Sequence, residues 1–232
     1  VPLMHALVEA GADVLELGVP FSDPMADGPV IQRASERALA AGMTLSKVLS
    51  LVKTFREQDS HTPVVLMGYL NPIEIMGYSE FVRGAEAVEI DGVLTVDLPP
   101  EEAAELSQLL RSHAIDPIFL LAPTTTPERI KRICAQASGY LYYVSLKGVT
   151  GSANLDVTTV ANKLAEIRQH TTLPIGVGFG IKDARTAATV AKISDAVIVG
   201  SALVQQIETE PQDRLLTTIP AFLQGLRQAM DA

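Results

Sequence analysis

Seven short apolar runs divide the chain, beginning near residues 13, 63, 92, 117, 140, 174 and 195, and a segment with helical spacing follows each one. Runs such as Val64-Val65-Leu66-Met67 and Ile118-Phe119-Leu120-Leu121 are apolar at every position rather than at alternate ones. Strands of that kind are buried on both faces, as in a parallel sheet covered by helices. Helices are predicted over residues 3–10, over 30–55 with a break near Gly42, over 78–88 and 100–113, from Thr126, over 156–170 and over 220–230. Seven βα units of about thirty residues predict an α/β (β/α)8 barrel lacking one unit, with a doubly wound open sheet as the alternative. Regular spacing favours the barrel, and so does the placing of chemistry-bearing residues just after the strands. The even spacing also predicts one domain over residues 1–232.

The first run, Asp13-Val14-Leu15-Glu16-Leu17-Gly18, breaks the apolar pattern at Glu16, which shares a strand face with Val14 and Gly18. A carboxylate in a buried strand costs several kcal/mol unless it is paired or protonated. It therefore belongs either to a buried ion pair or to a pocket at the strand end, and the second place is where α/β folds put their active sites. Burial raises its pKa toward neutrality, as a group that both gives and takes a proton requires. The loop that follows, Val19-Pro20-Phe21-Ser22-Asp23-Pro24-Met25-Ala26-Asp27-Gly28-Pro29, carries two more carboxylates. Ser-Asp-Pro is ordinary turn chemistry for Asp23, while Asp27 divides evenly between turn and site.

A net charge of -9 disfavours nucleic acid and anionic membrane as partners and leaves room for a local anion site. No apolar run reaches the roughly 18 residues of a membrane-spanning helix, and no secretory signal is visible. The single cysteine, Cys134, lies beside Ile130 and Ile133 on a helical face and reads as core packing in a reducing cytosol. His5, His61, His113 and His170 lack ligand spacing, so no metal site is expected.

Near the C-terminus two glycine-rich turns follow strands: Gly176-Val177-Gly178-Phe179-Gly180-Ile181, then Gly200-Ser201. Glycine lets backbone N–H groups approach an anion, and a helix N-terminus adds its dipole. A barrel commonly binds phosphate after its last two strands. Gly148-Val149-Thr150-Gly151, after the strand before them, is placed to close over the same ligand. A dinucleotide site is disfavoured by the lack of a third glycine at the required spacing.

Taken together, Glu16 to Pro24, Ala26 to Pro29, Asp97-Leu98-Pro99, Gly148 to Gly151, Gly178 to Ile181 and Gly200-Ser201 resemble the tryptophan synthase α-subunit family, in the family's order along nearly the whole chain. The resemblance implies a (β/α)8 barrel that splits indole-3-glycerol phosphate into indole and glyceraldehyde 3-phosphate. Glu16 matches the catalytic glutamate and Asp27 the catalytic aspartate. Tyr142 matches a pocket tyrosine, and Thr150, Gly151, Phe179, Gly180, Gly200 and Ser201 match substrate- and phosphate-binding positions. Pro20 and Asp23 match the loop that faces the partner. That partner is a β subunit in an α2β2 heterotetramer, which carries pyridoxal phosphate; none is expected on this chain. The family pattern also has a helix and a first strand ahead of the position of Val1, so an N-terminally incomplete barrel is expected. Another phosphate-binding barrel enzyme and a non-catalytic α-like subunit are the competing readings.

Overall fold

The computed structural model describes residues 1–145, 157–178 and 180–232. Seven strands form one all-parallel sheet in chain order: β1 Leu15–Gly18, β2 Val64–Gly68, β3 Gly92–Thr95, β4 Asp116–Leu121, β5 Leu141–Val144, β6 Ile175–Gly178 and β7 Ala196–Ile198. Each strand begins within two residues of its predicted start. The helices are α1 Pro2–Glu9, α2 Pro29–Ala40, α3 Leu45–Arg56, α4 Leu70–Met76, α5 Tyr78–Glu86, α6 Ala104–Ser112, α7 Pro127–Gln136, α8 Val157–Arg168, α9 Ala184–Ala191, α10 Ser201–Thr209 and α11 Leu215–Asp231. The repeated strand-helix unit and the unbroken strand order are those of a (β/α) barrel, not of a doubly wound sheet, whose order reverses.

Alternation along the strands sorts side chains into two layers. One face carries Val64 and Leu66 of β2, Val93 of β3, Phe119 and Leu121 of β4, Leu141 and Tyr143 of β5, and Ile175 and Val177 of β6, all packed under the helices in two large clusters. The other face carries Val65, Leu94, Ile118 and Tyr142, with Met67, Val96, Leu120, Tyr140, Val144 and Ile198 only partly buried around them. That second set is the lumen, and its partial exposure marks an open end. Cys134 packs against the outer layer, as the sequence suggests.

Local signals account for most helix bounds. Gly42, at a φ of +73°, breaks the long amphipathic segment, and Thr44 caps α3 by accepting from Lys47 N; α2 and α3 consequently turn by 92°. Thr126 caps α7 through Arg129 N, with proline in the first turn. Two departures stand out. Helix α4 was not legible in Gly-Tyr-Leu-Asn-Pro, because its start is stabilised from outside its own segment: Asp97, after β3, accepts from Leu70 N at 2.8 Å. Helix α11 begins five residues before the expected Pro220 and carries that proline in its interior.

At the N-terminal ends of the strands one device occurs twice. Asp91 accepts from Val64 N at 2.7 Å and from Arg56 Nη2 at 2.8 Å. Asp195 accepts from Ile175 N at 2.9 Å and from Arg168 Nη2 at 2.8 Å. Each aspartate ties the start of its own strand to that of the preceding strand, and the arginine that ends the helix before that preceding strand holds it there.

Candidate active site

In an all-parallel sheet every strand ends on the same edge, so the loops after β1, β2, β3, β6 and β7 converge there. Glu16 lies in β1 on the lumen face, the face it was expected to share with Val14 and Gly18. It crosses to the far side of the barrel, where Tyr140, just ahead of β5, donates its hydroxyl proton to Glu16 Oε1. Burial pushes the Glu16 carboxyl above the ordinary glutamate value, and the Tyr140 hydrogen bond opposes part of that rise. Burial and the Glu16 charge together push the Tyr140 and Tyr142 phenols far up, so both stay protonated. The pairing is not an ion pair, and Glu16 faces a neutral donor in an apolar lumen. That environment favours the protonated carboxyl over the carboxylate.

Tyr142 lies two residues from Tyr140 on the same lumen face and packs against Gly178 of β6. A Cβ on Gly178 would overlap the Tyr142 hydroxyl, and one on Gly176 would come within 2.8 Å of Ile198 Cδ1. The glycines of β6 thus leave room in the lumen for these side chains. This is a packing requirement on the β6 glycines, separate from the phosphate role expected of this turn.

Asp27 sits in the loop after β1 and is anchored from β2. Tyr69, 3% exposed, donates its hydroxyl to Asp27 Oδ2 at 3.1 Å and accepts from Ala26 N at 3.0 Å. Gln32 Nε2 donates to the Asp27 carbonyl at 2.9 Å, and the Phe21 ring packs on Tyr69 with centroids 5.4 Å apart. Burial raises the Asp27 carboxyl, and the Tyr69 hydrogen bond moderates it; the Tyr69 phenol is pushed up to about 12, chiefly by burial. Tyr69 is therefore a permanent donor to Asp27. Tyr69→Phe should remove the acceptor of the Ala26 N–H and the donor to the Asp27 carboxylate, lowering stability by about 0.5–1.5 kcal/mol in urea melts and reducing turnover.

The other expected positions fall as follows. Asp23 is exposed, and Ser22 donates to it. Pro20 is buried, not presented outward, because Val19 N pairs with the Met67 carbonyl and draws the start of the loop into the sheet; of the two residues expected to face a partner, Asp23 alone is on the surface. Gly180 adopts a φ of +77°, a conformation that favours glycine. Gly200 precedes α10 with open space above it, and Ser201 is the first, exposed residue of that helix. Thr150, Gly151 and Phe179 lie outside the described residues. Among the described residues no group of His, Cys, Asp and Glu could hold a metal ion, and no single helix is long and apolar enough to cross a membrane. Sequence reasoning missed Tyr140 and Tyr69. The first was open to strand alternation, since it is two positions from Tyr142; the second had no signal beyond its place after a strand.

A buried lumen carboxyl, a second carboxylate on the next loop and two glycine turns after the last strands thus share one end of a (β/α) barrel. The family model for the tryptophan synthase alpha chain matches residues 1–230. The chain belongs to the tryptophan synthase alpha chain family. A relative from Thioalkalivibrio sulfidiphilus, the tryptophan synthase alpha chain, is 64% identical over all of this chain and 88% of its own length. The tryptophan synthase alpha subunit of Legionella pneumophila superposes with a TM-score of 0.91 at 48% identity, covering 99% of this chain and 86% of that one. A chain from the tryptophan synthase α2β2 complex of Pyrococcus furiosus superposes with a TM-score of 0.89 at 36% identity, covering 97% and 90%.

Proposed function

We propose that the chain is a carbon–carbon lyase, the α subunit that cleaves indole-3-glycerol phosphate to indole and glyceraldehyde 3-phosphate. The carrying observation is Glu16, a carboxyl raised by burial and set in an apolar lumen opposite a neutral tyrosine donor. Protonated Glu16 gives its proton to indole C3, which turns the ring into an electron sink. The bond from C3 to the side chain then breaks, the side-chain hydroxyl becomes the aldehyde, and its proton passes to the Glu16 carboxylate. The group ends protonated, as it began, so one residue serves both transfers. Asp27 accepts from the indole N–H and stabilises the positive charge that develops on the ring. Gly180, Gly200 and Ser201, with Thr150, Gly151 and Phe179, hold the phosphate and close the site, while Tyr142 lines the indole side.

The β subunit docks, in this reading, on the same end of the barrel, in an α2β2 assembly in the cytosol, and supplies the pyridoxal phosphate. Two exposed apolar side chains support that surface: Met25, 79% exposed in the Asp27 loop, and Ile75, 82% exposed on α4. Asp23 lies in the same loop as Met25. Incubation of the chain with indole-3-glycerol phosphate should yield indole and glyceraldehyde 3-phosphate in equal amounts. An isomerase or another barrel enzyme would consume the substrate without releasing indole, and a non-catalytic subunit would leave it intact.

A further inference from the structure

Strands β1 and β7 are the two edges of the described sheet and share no backbone ladder. The proposed catalytic carboxylates hang on β1 and its loop, whereas Gly200 and Ser201 hang on β7. Helix packing connects these two halves of the site. Helix α10 follows β7, yet Leu203 and Ile207 bury against the cluster built around β1 to β3, so α10 crosses the seam and packs on α2. Glu208, one position beyond Ile207, meets two arginines one helical turn apart on α2. Arg33 Nε donates to Glu208 Oε1 and Arg33 Nη2 to Oε2, both at 2.9 Å, while Arg37 Nη1 donates to Oε1 at 2.7 Å. A fork of this kind fixes orientation as well as distance, which an isolated surface ion pair does not. Next to Arg33, Gln32 holds the Asp27 carbonyl.

We propose that Glu208 is a positioning residue, a clamp between α10 and α2 that sets the Asp27 loop against the phosphate end of the site. The assignment rests on the lyase reading above. A substrate anchored at Gly200 and Ser201 is presented to Asp27 in a geometry that the Arg33–Glu208–Arg37 fork determines, and a displacement of an ångström there acts on turnover. The opposite end of the seam supplies a control. Arg227 of α11 donates to Asp13 at 2.7 Å and to the Gly11 carbonyl at 3.3 Å, bridging the seam at the far end of β1 from the site.

The test compares Glu208→Gln, the double variant Arg33→Ala/Arg37→Ala and Arg227→Ala in complex with the β subunit. It measures kcat and KM for indole release, inhibition by glycerol 3-phosphate and thermal melting. The clamp predicts that Glu208→Gln and the double variant each lower kcat about tenfold, with glycerol 3-phosphate inhibition within about twofold of the parent. Arg227→Ala should lower the melting temperature and leave kcat within about twofold. An unchanged kcat in Glu208→Gln overturns the clamp and leaves the lyase reading standing. So does an equal loss of kcat in Arg227→Ala, which would mean that seam stability alone is at work. Absence of indole release from the parent complex would overturn both.

Discussion

Glu16→Gln should abolish indole release, with a loss of at least about 10³ in kcat, because one proton-transfer role contributes about 10²–10⁴ and Glu16 is assigned two. The amide can accept from Tyr140 but holds no transferable proton, so substrate affinity should change little. Steady-state kinetics check the split: a normal KM with a collapsed kcat is the expected pattern, and full turnover would remove Glu16 from the acid-base role. The same substitution should act on stability in the opposite direction. Because burial raises the folded-state pKa above the unfolded value of about 4.3, folded chains bind more proton than unfolded ones between those two pKa values. Stability contributed by Glu16 is therefore present at low pH and lost as pH rises through that window. Glu16→Gln carries no such loss, so urea melts above the window should show the variant more stable than its parent, and melts below it should show the difference shrink.

Asp27→Asn should lower kcat by about 10²–10³, the range found when one group that stabilises transition-state charge is removed. Asparagine keeps an acceptor for the Tyr69 hydroxyl and for an indole N–H but brings no negative charge to the ring. The loss should consequently appear in kcat far more than in KM. Burial raises the Asp27 carboxyl too, so in the parent enzyme kcat should fall as pH drops through that raised value and Asp27 becomes neutral. The variant should lack this acid limb. Turnover equal to the parent's across the pH range would take the charge out of the mechanism.

How far the sequence carried the reading differs between layers of the molecule. Strands β1 to β7 were legible because each is a dense apolar run, a signal set by burial on both faces. Glu16 was legible because a carboxylate violates that signal. Helix α4 was not, since Asp97 stabilises its first turn from twenty-seven residues away. Tyr69 was hidden for the same reason: its hydroxyl matters through Asp27, forty-two positions earlier, and nothing local marks the pairing. Tyr140 was half visible. Its register beside Tyr142 is a sequence property, but its partner Glu16 lies across the lumen, a distance that only barrel closure determines. Pro20 shows the converse, a residue in an exposed-looking loop that the ladder beside it draws inside.

Acid-base catalysis by Glu16 requires that it carry a proton at the pH where the enzyme works. The most direct measurement is the infrared carboxylic-acid C=O band, taken as the difference between the parent and Glu16→Gln and followed across pH. The expected result is a band for protonated Glu16 that persists above the range in which ordinary glutamates lose their proton. Loss of that band at about pH 4.3, the unperturbed glutamate value, would contradict it.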